Sequence, residues 1–382
     1  MRKSGESVPL SDLKAQYRAL QAELDEAVRE VVESCRFIGG PAVEGFAREY
    51  AAYCGVQHAI PCANGTEAVR LALVGVLGPG DGSGEVITVS HTFAATAEAI
   101  VAAGYRPVLV DVDPHTFLMD LRAVEAARTS NTVAVVPVHL YGHMVDVEQL
   151  RDWADRYRIA VIEDAAQAHG ARMNGMGPGQ RSHAAAFSFF PGKNLGAWGD
   201  AGAVVTDDGP TARRISQLVD HGRGDKYSHA RIGCNARMDA LQAAVLRVKL
   251  PHLDRWNSAR RQVARWYEEL LGEVGGCVTP ALMPGAQHVY HQYVIQVEHR
   301  DEVQQALNAQ GIATGIHYPI PVHEQPAFAY LGIRPDDLPI THGLCRHILS
   351  LPVFPELTQA QVERVSTALS EALGVTTGAG AR

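Results

Sequence analysis

The chain has 382 residues, 46% of them hydrophobic, which suits two substantial domains or one large domain with a smaller appendage and excludes a disordered or fibrous protein. Its 34 Lys and Arg against 42 Asp and Glu give a net charge of -8 with neither sign gathered into a block, so a nucleic-acid groove is disfavoured while a locally basic pocket is not. The six cysteines have no close CxxC spacing and read as thiols of a reducing compartment; no apolar run follows the N-terminal basic pair or is long enough to span a bilayer, so a cytoplasmic protein with no membrane contact is expected.

In chain order, Leu20, Leu24, Val28 and Val31 recur at helical spacing in residues 18–34, and after Gly39, Gly40 and Pro41 a second helix carries Val43, Phe46 and Tyr50 on one face. HAIPCANGTEAVRLALVGVL reads as strand, turn and helix, the helix starting near Thr66 and burying Val69, Leu73 and Leu77. The alternation repeats as EVITVS and TAEAIVAAG, PVLVDVD and DLRAVEAAR, VAVVPVHL and VEQLRDWADRY, then IAVIED. Strands this continuously apolar, separated at crossover lengths, predict a mostly parallel sheet covered on both faces, with ligands at the edge where its strands end. AAAFSFF and AGAVVT add strands that could pair antiparallel. Beyond Asp239 a long helical stretch breaks at Pro251; HVYHQYVIQV, DEVQQALNAQG and TQAQVERVSTALSEAL then read as strand, helix and helix. The predicted division is an N-terminal segment with a large α/β domain over 1–254 and a smaller α/β domain over 255–382, ending in a loose GVTTGAGAR.

Lys193 is the notable residue: a lone lysine on a Pro-Gly turn between two apolar strands is a candidate nucleophile, or else a solvated lysine on a glycine-rich turn. Asp164 ends the apolar strand IAVIED, with Gln167 three residues on; it could cap a helix, or hold a positive ring nitrogen. A strand-end carboxylate with a loop lysine suits a cofactor that forms imines, and pyridoxal phosphate needs both groups. Asn64, Gly65 and Thr66, where a strand becomes a helix, could surround its phosphate, or Thr66 could simply cap the helix above Glu67. Phe93 could lie against the ring or sit in the core, and Ser188, a hydroxyl inside an apolar strand, needs phosphate or a backbone carbonyl as partner. The rigid loop GIHYPIPVHEQPAF offers His317, Tyr318 and His323 to a substrate; its histidines fit no compact zinc motif, and no metal is expected. The donor-rich segment from His221 to Arg237, ahead of an apolar helix, could bind an anion in its own pocket or a partner's.

Taken together, FIGGPAVEGFAREYAAYCG, ANGTEAVRLAL, EVITVSHTFAATAEAI, VPVHLYGHMVDV, IEDAAQAHGA, SFFPGKNLGAWGDAG, NARMDALQAAVL and GIHYPIPVHEQPAF resemble the DegT/DnrJ/EryC1/StrS nucleotide-sugar aminotransferases, in this order and over nearly the whole chain. The resemblance implies the fold of type I pyridoxal-phosphate transferases, the aspartate aminotransferase-like α/β architecture. It makes Lys193 the Schiff-base lysine, Asp164 the pyridine-nitrogen partner, Gln167 a contact to the cofactor hydroxyl, Phe93 the stacking ring, and Gly65, Thr66 and Ser188 the phosphate holders. Asn235 resembles the residue that reaches the neighbouring subunit's phosphate, which implies a homodimer with shared sites. L-glutamate would convert the cofactor to pyridoxamine phosphate, and a nucleotide-linked keto sugar would accept the amine. AAQAHGA and HYPIPVHEQPAF resemble members that aminate C3 of dTDP-keto-6-deoxyhexoses; a C4 ketone, a keto-cyclitol and the aminobenzoate branch stay open, as does a regulatory protein without turnover. Relatives that dehydrate sugars carry histidine in place of the lysine, so Lys193 favours transamination. GPGDGSGEV is longer than the related GPGDEV, and a longer loop on the cofactor side is expected.

Overall fold

The computed structural model describes residues 7–375; the N-terminal basic pair and the last seven letters of GVTTGAGAR, except for Gly374 and Val375 before them, lie outside the described residues. Helices α1 (Leu13–Ser34) and α2 (Gly40–Cys54) come first, α2 taking Pro41 into its opening turn, where a missing N–H leaves no helical bond unmade. Then strands and helices alternate: β1 (His58–Cys62), α3 (Gly65–Leu77), β2 (Glu85–Val89), α4 (Ala95–Ala102), β3 (Arg106–Val110), α5 (Leu121–Ala127), β4 (Thr132–Val136), α6 (Val147–Tyr157) and β5 (Ala160–Asp164). They are followed by β6 (Arg172–Met173), β7 (Ala184–Ser188), β8 (Gly202–Thr206), α7 (Gly209–Leu218), α8 (Ala240–Lys249) and α9 (Leu253–Leu271), with Pro251 between the last two helices.

Seven strands form one sheet in the order β1-β8-β7-β5-β4-β2-β3. From β3 to β7 the neighbours run parallel, and β8 is antiparallel to both β7 and β1. Successive residues serve opposite faces: Val161 joins Phe46, Tyr50, Trp153 and Phe187 on one side, and Ile162 joins Leu71, Leu73, Ile100 and Ile215 on the other. Burial on both faces is what makes these strands read as unbroken apolar runs.

The rest of the chain builds a second layer: β9 (Cys277–Val278), β10 (Ala286–Gln287), β11 (Tyr293–Val297), α10 (Arg300–Ala309), α11 (Pro339–His347), β12 (Ile348–Leu351) and α12 (Gln359–Ala372). Strands β12-β11-β9 form an antiparallel sheet, and β10 pairs with β6 of the larger unit. The small sheet's core includes Val263 and Tyr267 from the later turns of α9, whereas Leu253 and Trp256 from its first turn pack on the larger unit, so residue 255 lies inside a helix shared by both. Val8 also sits in the small core, its N–H and carbonyl bonded to Gly311 and Ala313. Among the described residues no helix is long and apolar enough to cross a membrane.

The longer GPGDGSG segment corrects the expectation made for it. It enters β2 and packs on Gly104, its Gly82 N–H donating to the Gly104 carbonyl at 2.8 Å, whereas Phe93 follows the other end of β2. The loops that enter and leave one strand lie on opposite edges of a parallel sheet, so the extra residues lie away from the ligand edge.

Asp111, one residue past β3, joins the units by accepting from Ile340 N at 2.9 Å, Thr341 N at 2.7 Å and Thr341 Oγ1 at 2.7 Å, capping α11 from outside its own helix. Asp111→Ala should lower unfolding stability by about 1–3 kcal/mol in urea titration; an unchanged midpoint would show that solvent replaces the cap.

Candidate functional site

The strand ends on one edge of the sheet converge. Asn64, Gly65 and Thr66 follow β1, Thr92, Phe93 and Thr96 follow β2, Asp164 and Gln167 stand at and beyond the end of β5, and Ser188 and Lys193 do so for β7; all line one cavity of about 620 Å³. Arg260, His291, His317 and Tyr318 complete its wall.

Asp164 is held by both neighbouring strands: its N–H donates to the Pro137 carbonyl at 2.9 Å, its carbonyl accepts from His139 N at 3.0 Å, and Ala165 N donates to Ala186 O at 2.8 Å. Its carboxylate accepts from Thr96 Oγ1 at 2.7 Å and from Ala166 N at 3.1 Å. No helix follows it, only turns, so the helix-capping alternative falls away. Each oxygen keeps a lone pair for another donor.

Lys193 projects into the same cavity, its backbone N–H closing the Pro-Gly turn on the Phe190 carbonyl at 2.8 Å. Desolvation pushes its ammonium down from 10.5 to about 8, and the Asp164 charge offsets part of that shift. Neither hydrogen bond nor ion pair holds Nζ among the described residues. An amine that sheds its proton near neutral pH and is tied to nothing can attack a carbonyl.

Asn64, not Thr66, caps α3: its Oδ1 accepts from Glu67 N at 2.9 Å. Gly65 and Thr66 therefore lie inside the first turn, where helix geometry leaves their N–H groups without intrahelical acceptors. Glu67, also at the cavity, turns its charge onto Arg70 at 2.6 Å, which keeps the turn hospitable to an anion. A Cβ on Gly65 would meet Ser188 Cβ at 2.5 Å, so only glycine brings this turn so close to β7. Beneath, His169 Nε2 donates to the Ser188 carbonyl at 2.8 Å and its Nδ1 accepts from Tyr50 OH at 2.8 Å, an arrangement that settles the ring's tautomer.

Phe93 is 56% exposed, far too much for a core aromatic, and its ring centroid lies 5.4 Å from that of Tyr318. Gln167 donates to Tyr318 OH at 3.2 Å and accepts from Tyr141 N at 2.6 Å. His317 Nδ1 lies 2.8 Å from Ser350 Oγ, and burial, then Lys193, pushes its imidazolium down to about 4.

Two predicted residues do not line this cavity. His323 is buried against Ser90, whose Oγ lies 2.7 Å from its Nδ1, and so anchors the loop that carries Tyr318. Asn235 is exposed, in a surface segment with Tyr227 at 83% and Ile232 at 98% exposure. Conversely, Thr96, Arg260 and His291 also line the cavity and are not legible from sequence: an interior threonine, an arginine among many on α9 and a histidine two residues ahead of an apolar strand carry no local signal. Among the described residues no group of three His, Cys, Asp or Glu side chains could hold a metal.

In cofactor-free protein, reductive methylation of Lys193 should be half-maximal near pH 8, while ordinary surface lysines require about 10.5; mass spectrometry of the labelled peptide reads this, and a midpoint above 10 would contradict the burial argument. Gly65→Ala should weaken pyridoxal phosphate binding on the order of tenfold or more, measured by equilibrium dialysis; undiminished binding would show that Ser188 can yield.

The chain matches the DegT/DnrJ/EryC1/StrS aminotransferase family over residues 18–370. It is 47% identical over 368 residues to a "pleiotropic regulatory protein" of Geobacillus stearothermophilus, covering 96% of this chain and 98% of that one. It is 46% identical over 365 residues to a dTDP-3-amino-3,4,6-trideoxy-alpha-D-glucose transaminase of Streptomyces venezuelae, covering 95% and 96% respectively. The crystal structure of S. venezuelae DesV in complex with a ketimine intermediate superposes with a TM-score of 0.94 at 45% identity, covering 96% of this chain and 98% of that one. On this evidence the chain belongs to the DegT/DnrJ/EryC1/StrS aminotransferase family.

Proposed function

We propose that this chain, a pyridoxal-phosphate-dependent aminotransferase, moves an amino group from L-glutamate to C3 of a dTDP-linked 3-keto-6-deoxyhexose. The observation that carries the reading is the meeting, in one cavity, of an unpaired lysine amine, a strand-end carboxylate and an anion cradle at a helix start. When bound, the cofactor supplies an aldehyde carbon that condenses with amines and a ring that takes up electrons from a breaking C–H bond.

Gly65 and Thr66 N–H, the Thr66 hydroxyl and Ser188 Oγ would hold the cofactor's phosphate, in a turn where a side chain at 65 would collide with Ser188. Asp164, its carboxylate fixed by Thr96, would hold the ring nitrogen and favour its protonated form. Phe93 would cover one ring face, and Gln167, held by Tyr141, would bind the ring hydroxyl. Lys193 Nζ would join the cofactor aldehyde at rest and, once released, would carry a proton between the two carbons on either side of the imine nitrogen, a task suited to an amine titrating near 8. His317 and Tyr318 border the substrate side, and in this reading His323 serves through the loop it anchors.

We take the enzyme to be a cytoplasmic homodimer. Its free cysteines suit a reducing compartment, and the exposed apolar side chains around Asn235 suit burial against a second copy, which would bring Asn235 to the neighbouring phosphate. Residues beyond about 255 form the smaller domain that closes the substrate side. The C3 position and the dTDP carrier are supported by the Streptomyces relative's activity.

L-glutamate alone should shift the cofactor's visible absorption, and NMR of the product made from the keto sugar should place nitrogen on C3; nitrogen on C4 would overturn the regiochemistry, and no amine exchange with any donor would favour a regulatory protein. Lys193→Ala should abolish turnover while preserving the fold by circular dichroism. Mixed with Asn235→Asp subunits, it should regain activity that neither variant has alone; failure of dimers to complement would contradict the shared site.

A further inference from the structure

His291 lines the cavity just before β11, and the chemistry above does not use it. Its Nδ1 lies 3.2 Å from Asn194 Oδ1. Two backbone carbonyls settle which atom donates. Asn257 Nδ2 donates to the His169 carbonyl at 2.8 Å, which turns Asn257 Oδ1 toward Asn194 Nδ2, also at 2.8 Å. Asn194 Nδ2 further donates to the Val289 carbonyl at 3.0 Å. Asn194 Oδ1 is therefore the acceptor, and the hydrogen of neutral His291 sits on Nδ1. That leaves a lone pair on Nε2, which has no partner among the described residues and is not one of the side-chain atoms sealed from solvent.

The ring is 8% exposed, and the titratable groups that act on it are Lys193, Arg260, His317 and His169, all basic. Burial first, and then these neighbours, push its imidazolium form well below the usual range, so the lone pair persists through the working pH range. A carboxylate has no hydrogen to give that lone pair, and an ammonium is repelled by Lys193 and Arg260. A neutral hydroxyl meets neither objection.

We propose that His291 Nε2 accepts the hydrogen of a hydroxyl on a ring carbon beside the ketone of the acceptor sugar, and so selects sugars that carry it. On a 6-deoxyhexose linked to the nucleotide at C1 and aminated at C3, the remaining ring hydroxyls are those at C2 and C4, which flank the ketone, so the choice falls to these two. The proposal rests on the nucleotide-sugar reading above. A site built around a hydroxyl discriminates strongly against the analogue that lacks it, because the buried acceptor is then left unpaired.

Calorimetric titration of the holoenzyme with dTDP-6-deoxyglucose and with its 2-deoxy and 4-deoxy analogues tests this without turnover. The wild type should bind one of the two deoxy analogues about tenfold or more weakly than the parent. His291→Phe should bind the parent and that analogue alike, while His291→Gln, which restores an acceptor, should recover the preference. Equal binding of all three sugars by the wild type, or a preference that survives in His291→Phe, overturns the role of His291 alone. Failure of all three to bind overturns the nucleotide-sugar reading with it. The wild-type comparison decides even if His291→Phe does not fold.

Discussion

A lysine amine drawn out of bulk water, opposite a carboxylate, is the constraint around which this molecule is organised. Desolvation brings Lys193 to about 8, and Asp164 acts against that shift. The balance is delicate: a closer carboxylate would keep the amine charged and inert, and a drier site without one would give a bound ring nothing to hold its nitrogen protonated. The structure keeps the two groups apart by placing them on different strand ends, β5 and the turn after β7, whose strands are direct neighbours. Hydrogen bonds from both flanking segments fix the backbone at Asp164, so the carboxylate's position is inherited from the sheet itself.

The larger sheet supplies one side of the cavity, and the second layer supplies the other. The segment from His317 to His323 reaches back to Ser90, which accepts from His323 N at 3.1 Å and whose carbonyl accepts from Val322 N at 3.1 Å. Ser90 lies three residues before Phe93, and His323 five after Tyr318, so one clasp sets both rings of the aromatic slot. Asp111 makes a second tie at α11. His317 and Tyr318 thus owe their place in the cavity wall to contacts outside it.

What could be read from sequence followed from regular physical patterns. The parallel strands announced themselves because both faces are buried, and the β7–β8 pair around Lys193 is antiparallel as their spacing allowed. Helix α7 and strand β12 escaped notice: GPTARRISQL is short and charged, and ILSL is a four-residue strand directly abutting α11. Helix α3 begins at Gly65, beside the expected Thr66, but its cap is Asn64, two residues before Thr66: both are good caps, and only the bond from Glu67 N distinguishes them. His323 looked like a substrate residue because loop histidines often are; its burial against Ser90 depends on a partner 233 residues away. His291 and Arg260 were illegible for the same reason, since their meaning lies in the convergence of distant segments.

The central claim is that Lys193 is the amine that joins the cofactor carbon. Borohydride reduction of the holoenzyme, followed by peptide mass mapping, tests it most directly. A phosphopyridoxyl mass increment is expected on the peptide that contains Lys193 and on no other lysine; the increment on Lys249, which burial also pushes down to about 8, or on none, would contradict the assignment.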